Sequence, residues 1–197
     1  IITLSNGKTT QTITIPAGQT TGNVKFDNPN GEDVYKDGST LNYTITGTTG
    51  GNYVSLDTSD SSVVTIEDTT NNTNATLTSE ITGDEDGATV TYTMTLDKAP
   101  TTNETFTFKV DGVEKTIIVE AGKTTGTTTV TFTESDVFKD TDTIPKATDL
   151  KASDVDGASN YEQLTLVNNS KDETVVDSID NTNATLTSEI TGDEDGA

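Results

Sequence analysis

The sequence lacks the residue types that carry much of protein catalysis and transition-metal binding. It contains no cysteine, histidine, tryptophan or arginine, and its 11 basic residues are all lysines. These absences exclude disulfides, thiolate or imidazole metal sites and histidine-dependent triads. Paired carboxylates could still hydrolyse glycosides, but few aromatic residues are present to line a sugar cleft. We therefore expect a protein that is not an enzyme.

Positive charge and long apolar runs are also scarce. The chain has 33 acidic residues and a formal net charge of −22, which argues against nucleic acid and anionic membranes as partners. No stretch approaches the ~20 apolar residues of a membrane span, and no signal peptide is recognisable. We expect neither nucleic-acid binding nor membrane insertion.

What the sequence does contain is a long repeat. The 17 residues at 72–88 recur unchanged at 181–197, so the period is 181 − 72 = 109 residues. This length fits one small globular domain rather than a solenoid turn. The repeat predicts three parts: a truncated repeat at 1–68, a complete repeat at 72–179, and the first strand and turn of a following repeat at 181–197.

Shorter matches support the same division. AGQTTG at 17–22 matches AGKTTG at 121–126, and DVYKD at 33–37 matches DVFKD at 136–140. Asn52 and Tyr53 match Asn160 and Tyr161 in the same way. One further hypothesis is strand exchange, in which the segment 181–197 of one molecule adds to the first repeat of another. The alternative is that these ends only reflect how the chain was delimited.

Period-two alternation predicts an all-β fold. Val90, Tyr92, Met94 and Leu96 alternate with threonines, as expected of a half-buried strand. Turn residues recur every 8–12 positions, which is typical of a β-sandwich. In the complete repeat we predict strands near 75–82, 88–97, 104–110, 115–120, 127–133, 144–150, 163–167 and 173–178. Hairpins are predicted at Asn6-Gly7 and at the Asp111-Gly112 turn.

Acidic residues are concentrated in the loops between these strands. If each connection reverses the chain, one pole of the complete repeat collects Asp84, Glu85, Asp86, Asp136, Asp140, Asp177, Asp180 and Asn181. The same pole of the first repeat collects Asp33, Asp37, Glu67 and Asp68. Clustered carboxylates without arginine favour a neutralising cation, and oxygen ligands at flexible spacing suit Ca²⁺ better than Mg²⁺. The alternative is that these acids only solvate the surface.

A weaker calcium signal lies elsewhere in the repeat. The segment DVDG at 154–157 resembles the start of an EF-hand loop, but the rest of that twelve-residue pattern is missing.

Three segments resemble the extender repeats of giant RTX adhesins, which are biofilm and surface adhesins of Gram-negative bacteria. They are ITIPAGQTTGNV at 13–24, GEDVYKDGSTLNYTITGTTGGNY at 31–53 and IEDTTNNTNATLT at 66–78. The resemblance implies tandem immunoglobulin-like sandwiches joined by short acidic linkers, with Ca²⁺ stiffening each junction. It implies junction ligands at Glu67, Asp68, Asp177 and Asp180, joined by Asp33, Glu85, Asp86 and Asp136. The complete repeat departs from the pattern at Phe138, which replaces tyrosine, and at Asp140-Thr141-Asp142, which replaces an Asp-Gly step.

The sequence and the resemblance together predict a structural spacer. Its location would be extracellular, at the bacterial cell surface, and its partners would be neighbouring repeats of the same polypeptide. Two alternatives stay open. One is an adhesive module that binds a sugar or protein, and the other is a cohesion module with weak self-association between repeats.

Overall fold

The computed structural model describes residues 1–134, 136–153 and 161–195. Thirteen strands occur in this part of the chain. In order they are β1 Ile2–Ser5, β2 Thr10–Ile13, β3 Ser39–Thr48, β4 Ser61–Ile66, β5 Asn72–Thr82, β6 Ala88–Leu96, β7 Glu104–Val110, β8 Val113–Val119, β9 Thr125–Phe132, β10 Thr143–Ile144, β11 Thr148–Ser153, β12 Gln163–Asn168 and β13 Glu173–Thr174. The described residues include no helix suited to crossing a membrane. The all-β prediction is confirmed.

The predicted strands of the complete repeat match β5 to β13 with two differences. The single strand predicted at 144–150 is two strands, β10 and β11, separated by Pro145, which has no N–H to donate to a ladder. The backbone N–H groups that follow are bound by side chains instead. Lys146 N donates to Asp172 Oδ1 at 2.8 Å, and Ala147 N donates to Ser170 Oγ at 3.0 Å. The last strand, β13, is also shorter than the predicted 173–178.

The chain divides into two compact units. The first, unit 1, contains Ile1–Thr73 and Ala158–Thr165, and the second, unit 2, contains Asn74–Gly157 and Leu166–Ala197. These boundaries differ from the sequence repeat, because residues near 161–165 of the complete repeat belong to unit 1. The predicted division into 1–68, 72–179 and 181–197 stays a prediction, as does the tandem immunoglobulin-like arrangement with acidic linkers.

Unit 2 has the features of a β-sandwich. Its strands belong to a sheet of order β12-β5-β6-β9, a sheet of order β11-β7-β8 and the short pair β10-β13. Side chains from the two larger sheets form the core, and the rings of Tyr92 on β6 and Phe108 on β7 lie 5.1 Å apart. Leu77, Met94 and Phe106 are fully buried beside them. On β6, Tyr92 and Met94 alternate with threonines, so the strand has one apolar face and one polar face.

Turn chemistry sets the register of the β7–β8 hairpin. Val110 pairs with Val113, so Asp111 and Gly112 form a two-residue loop. Both have positive φ, 48° and 74°, which is the geometry of a type I′ turn. The sequence-based prediction of a turn at this position is confirmed.

The matching AGQTTG and AGKTTG motifs end in glycines that are closely approached by backbone. A Cβ at Gly22 would lie 2.8 Å from Thr14 O, and a Cβ at Gly126 would lie 2.3 Å from Ile118 O. Real side chains are not tolerated at such distances. The same sequence match thus marks the same steric requirement in both units.

Unit 1 contains one sheet, of order β2-β1-β3-β4, and little buried apolar surface. Its β1–β2 hairpin closes at Asn6-Gly7, as predicted, with Asn6 Oδ1 accepting from Thr9 N at 2.8 Å. Among the described residues of this unit, Tyr161 is the one fully buried apolar side chain. Phe26 and Tyr43 pack together with ring centroids 4.3 Å apart.

Candidate metal centres

Glu85 is held inside an acidic turn of unit 2. The turn begins at Gly83, which has φ 89°, and a Cβ there would lie 2.8 Å from Gly87 O. Glu85 N donates to Val176 O at 3.0 Å, and Glu85 O accepts from Glu134 N at 2.8 Å. Bonds on both sides of the residue fix its backbone, and its side chain is only 3% exposed.

Three carboxylates converge around this turn. One oxygen from each of Glu85, Asp140 and Asp177 lies within 4.8 Å of the other two. Glu85 Oε1 also accepts two hydrogen bonds from Ser178, from N at 3.1 Å and from Oγ at 2.9 Å. The backbone and hydroxyl of Ser178 therefore orient the buried carboxylate toward its two acidic neighbours.

The charges of this cluster repel one another. Burial raises the pKa of Asp140 above its ordinary value, and the negative charges of Asp142, Asp136, Asp177 and Glu85 raise it further. A side-chain hydrogen bond with Asp142 raises the pKa of Glu134, and the charge of Asp142 adds to this effect. The ion pairs Lys109–Asp149 and Lys171–Glu173 involve other acids. The folded state thus contains an excess of negative charge that a cation would relieve.

An open cavity of about 320 Å³ adjoins the cluster. Asp136 and Asp180 line it together with Glu85, Asp177 and Lys139, as do several apolar side chains. Five of the eight predicted positions, Glu85, Asp136, Asp140, Asp177 and Asp180, are thereby in the cluster or the cavity lining. Asp84, Asp86 and Asn181 are exposed and belong to neither.

Unit 1 contains a second acidic cavity, of about 60 Å³. All four acids predicted for this repeat line it, namely Asp33, Asp37, Glu67 and Asp68. Asp37 N donates to Asp68 Oδ2 at 3.1 Å. Burial raises the pKa of Asp37, and the charges of Asp33, Asp68 and Glu162 contribute in the same direction.

Two acids of unit 1 were not predicted. Glu162 lines the cavity, and its Oε2 accepts from Asn71 N at 2.6 Å. Glu32 also lines it, and hydrogen bonds from Thr69 Oγ1 and Asn71 Nδ2 lower the pKa of Glu32. Glu162 is distant in sequence from the rest of the cavity, so no local pattern identifies it. Glu32 directly precedes the DVYKD motif, so its position beside the predicted ligand Asp33 could have identified it.

Other participants of the unit 2 cluster were also missed. Ser178 is a neighbour of the predicted Asp177, but hydroxyl donors to a carboxylate leave no recognisable sequence pattern. Glu134 and Asp142 flank the DVFKD motif at 136–140, so the run of acidic residues in the sequence could have identified them. The DVDG segment at 154–157 lies outside the described residues.

The same local turn presents the acids in both units. Tyr35 N donates to Asp33 Oδ1 at 2.7 Å, and Phe138 N donates to Asp136 Oδ1 at 2.7 Å. Asp side chains commonly close such turns by binding the backbone two residues on. The repeated motif therefore fixes this turn at one carboxylate in each cavity, and residues from distant segments complete each set.

Comparison with known proteins identifies the family. A model of the LapA domain matches residues 1–69 and 71–182. The chain belongs to the LapA domain family. Membership in this family of biofilm adhesin domains indicates a role in bacterial surface adhesion. No curated protein and no solved structure matches this LapA-domain chain.

Proposed function

We propose that this chain is a non-catalytic spacer of a secreted bacterial adhesin, in which Ca²⁺ bound by the acidic clusters stiffens an array of repeats. The convergence of Glu85, Asp140 and Asp177 within 4.8 Å is the observation that supports it most. One of these carboxylates is buried, and no catalytic pair involving cysteine or histidine exists in the sequence. The array would project a distal ligand-binding region from the cell surface.

The carboxylate oxygens of the cluster suit a hard cation, and their irregular arrangement suits calcium in particular. Ca²⁺ binds oxygen at about 2.3–2.6 Å, so two ligands of one ion lie at most about 5 Å apart. Three carboxylate oxygens that lie within 4.8 Å of one another can therefore share one calcium ion. Calcium also tolerates irregular ligand sets, which suits clusters assembled from loops.

Calcium would act on stiffness through charge. Without it, Asp140 is partly desolvated and is repelled by the neighbouring carboxylates, and burial followed by these charges raises the pKa of Asp140. With it, one ion joins the 83–87 turn, the DVFKD motif and the segment around Asp177, which would then move as one body. Sites with Kd on the order of 10⁻⁴–10⁻³ M fill in extracellular calcium. The chain would thus be pliable during export and stiff outside.

Small-angle X-ray scattering of the chain in EDTA and in millimolar Ca²⁺ tests this proposal. In Ca²⁺ we expect the maximum dimension of the chain to be larger and to vary less among molecules. Mg²⁺ serves as the ion control. Asp177→Asn should reduce the response. Asp84→Asn should not, because Asp84 lies on the same acidic turn as Glu85 but outside the cluster.

Identical scattering with and without calcium in the unsubstituted chain would contradict the stiffening role. Growth of the scattering mass in Ca²⁺ would instead favour the cohesion alternative, in which repeats of separate molecules associate. Scattering mass and maximum dimension are obtained from the same curve, so one experiment separates the two functions.

A further inference from the structure

In unit 1, a tyrosine covers the DVYKD motif. Tyr35 and Tyr161 form an antiparallel bridge, and their rings stack with centroids 5.8 Å apart and an interplanar angle of 30°. Glu162 N donates to Val34 O at 3.0 Å. Tyr161 is fully buried by these contacts.

The residue after this tyrosine contributes to the acidic cavity of the same unit. Glu162 lines the cavity together with Asp33 and Asp37, and its carboxylate accepts from Asn71 N at 2.6 Å. The consecutive residues Tyr161 and Glu162 therefore have two separate roles at this motif. The tyrosine packs on the motif, and the glutamate adds a carboxylate to the acids that the motif presents.

The second copy of the motif exposes the surface that is covered in unit 1. Val137 is 51% exposed and Phe138 is 74% exposed, whereas their counterparts Val34 and Tyr35 are half-buried. The side chains of Val137 and Phe138 line the 320 Å³ cavity beside Glu85 and Asp177. The hydrogen bond from Phe138 N to Asp136 Oδ1 repeats the one from Tyr35 N to Asp33 Oδ1, so both motifs begin with the same Asp-closed turn.

We propose that Val137 and Phe138 form a docking surface for a Tyr-Glu segment of another repeat of this kind. The incoming tyrosine would stack on Phe138 as Tyr161 stacks on Tyr35, and the incoming glutamate N–H would bind Val137 O. The glutamate carboxylate would join Glu85, Asp140 and Asp177. Phenylalanine in place of tyrosine at 138 preserves the ring that this contact uses. This inference rests on the proposed spacer function, because it names the contact that joins successive repeats.

The repeat itself supplies the experiment. Because residues 181–197 copy residues 72–88, appending a copy of residues 89–180 completes a further repeat with its own Tyr-Glu segment. The chain has no cysteine, so Val137→Cys gives a single site for maleimide labelling. Ile118→Cys in β8 is the matched control, since Ile118 is also 51% exposed and lies in the same unit.

In Ca²⁺ we expect labelling at position 137 to slow at least tenfold in the extended chain relative to the original chain. Labelling at position 118 should not change. Replacing the appended tyrosine with alanine should restore fast labelling at 137. Radical footprinting of the native Phe138, which needs no substitution in unit 2, should show the same protection in the extended chain.

Equal labelling rates and equal oxidation of Phe138 in the two chains would overturn the docking surface. That failure is distinguishable from failure of the spacer function. A calcium-dependent rise in melting temperature without protection at 137 would leave calcium binding intact and remove the docking contact. Protection without any calcium response would retain the contact and remove the role of calcium.

Discussion

The same sequence has two surroundings in this molecule. Residues 72–82 form β5, in which Leu77 is fully buried, while the identical residues 181–191 carry no strand and leave Leu186 97% exposed. β5 lies between β6 and β12 and is paired with β6 along eight residue pairs. Local propensity is equal in the two copies, so the neighbouring strands make the difference. Strand preference is a property of packing surfaces as much as of residues.

The two DVY/DVF motifs show the same effect at the level of a site. Each closes the same turn, but the first is covered by Tyr161 and the second exposes Phe138. The nearby carboxylates also differ in origin, with Glu162 in unit 1 and Glu85 in unit 2. A repeated motif therefore fixes local geometry, and distant residues decide what the motif contacts.

The largest difference in the free energy of unfolding is expected between alanine substitutions at Leu77 and Leu186, the matching leucines of the two identical segments. Leu77→Ala should destabilise unit 2 by about 2–5 kcal/mol, because it leaves a cavity in the core. Leu186→Ala in the identical segment should change the free energy of unfolding by less than about 0.5 kcal/mol. Urea unfolding followed by circular dichroism measures both. Comparable losses would mean that the second copy is also packed in solution.

The next largest difference in the free energy of unfolding is expected between Tyr161→Ala and Phe138→Ala. Tyr161→Ala removes a fully buried ring from unit 1, and loss of that burial should cost about 1.5–3 kcal/mol. Phe138→Ala, at the exposed counterpart of Tyr35, should have an effect within about 0.5 kcal/mol. The same unfolding experiment applies. A cost at Phe138 equal to that at Tyr161 would show that the second motif is already covered.

Glu85 and Asp84, neighbours on one turn, sharpen the comparison further. Glu85→Ala removes the acceptor of Ser178 N and leaves Ser178 Oγ only its longer 3.3 Å hydrogen bond to Asp180 Oδ2, which should cost about 1–3 kcal/mol in EDTA. Glu85→Gln retains an acceptor oxygen and should cost less. Asp84→Ala is the exposed control. Equal melting temperatures for the two alanine variants would contradict the orienting role of Ser178.

Asp140→Asn should have opposite effects with and without calcium. In EDTA it removes a charge that neighbouring carboxylates repel, so the melting temperature should rise modestly at neutral pH. In Ca²⁺ it removes a ligand, so the calcium-induced stabilisation should shrink. Asp37→Asn tests the same inversion in unit 1. Stability that falls in both conditions would indicate that the charge of Asp140 is favourable without metal.

Acidification in EDTA should stabilise the folded chain relative to the unfolded chain, for a related reason. The folded-state pKa values of Asp140, Asp37 and Glu134 are raised above the ordinary 3.8 and 4.5. As the pH falls through these raised values, the folded chain binds protons that the unfolded chain does not, so these groups add stability toward acid. The gain is absent above the folded-state pKa values. In EDTA, Asp140→Asn should therefore reduce the rise in melting temperature as the pH falls from neutral toward the ordinary aspartate pKa of 3.8.

The sequence predicts the strands better than the sites. Alternation and turn residues predict β6, the β7–β8 hairpin and most other strands closely, because both are local properties. Pro145 is visible in the sequence, yet its division of one predicted strand into β10 and β11 depends on the side chains that replace the ladder. The assignment of Tyr161 and Glu162 to unit 1 depends on contacts between distant segments, which periodicity does not encode.

The candidate ligands illustrate the same limit. The repeat identified the acidic loops, and five of the eight acids or amides predicted for unit 2 lie at the cluster or its cavity. Asp84 and Asp86 flank Glu85 in sequence, but the turn at Gly83 directs only the middle residue inward. Sequence can therefore locate an acidic loop, while the backbone of the turn selects the carboxylate.

Thermal unfolding in EDTA, in millimolar Ca²⁺ and in millimolar Mg²⁺ tests the central claim most directly. Millimolar Ca²⁺ is about 1–10 times the Kd proposed for these sites, so binding should stabilise the folded state by about 0.4–1.4 kcal/mol. We predict a clear rise in melting temperature that is specific to Ca²⁺, reduced in Asp177→Asn and retained in Asp84→Asn. A melting temperature that is the same in EDTA and Ca²⁺ would contradict the account, and the acids would then be solvating charge alone.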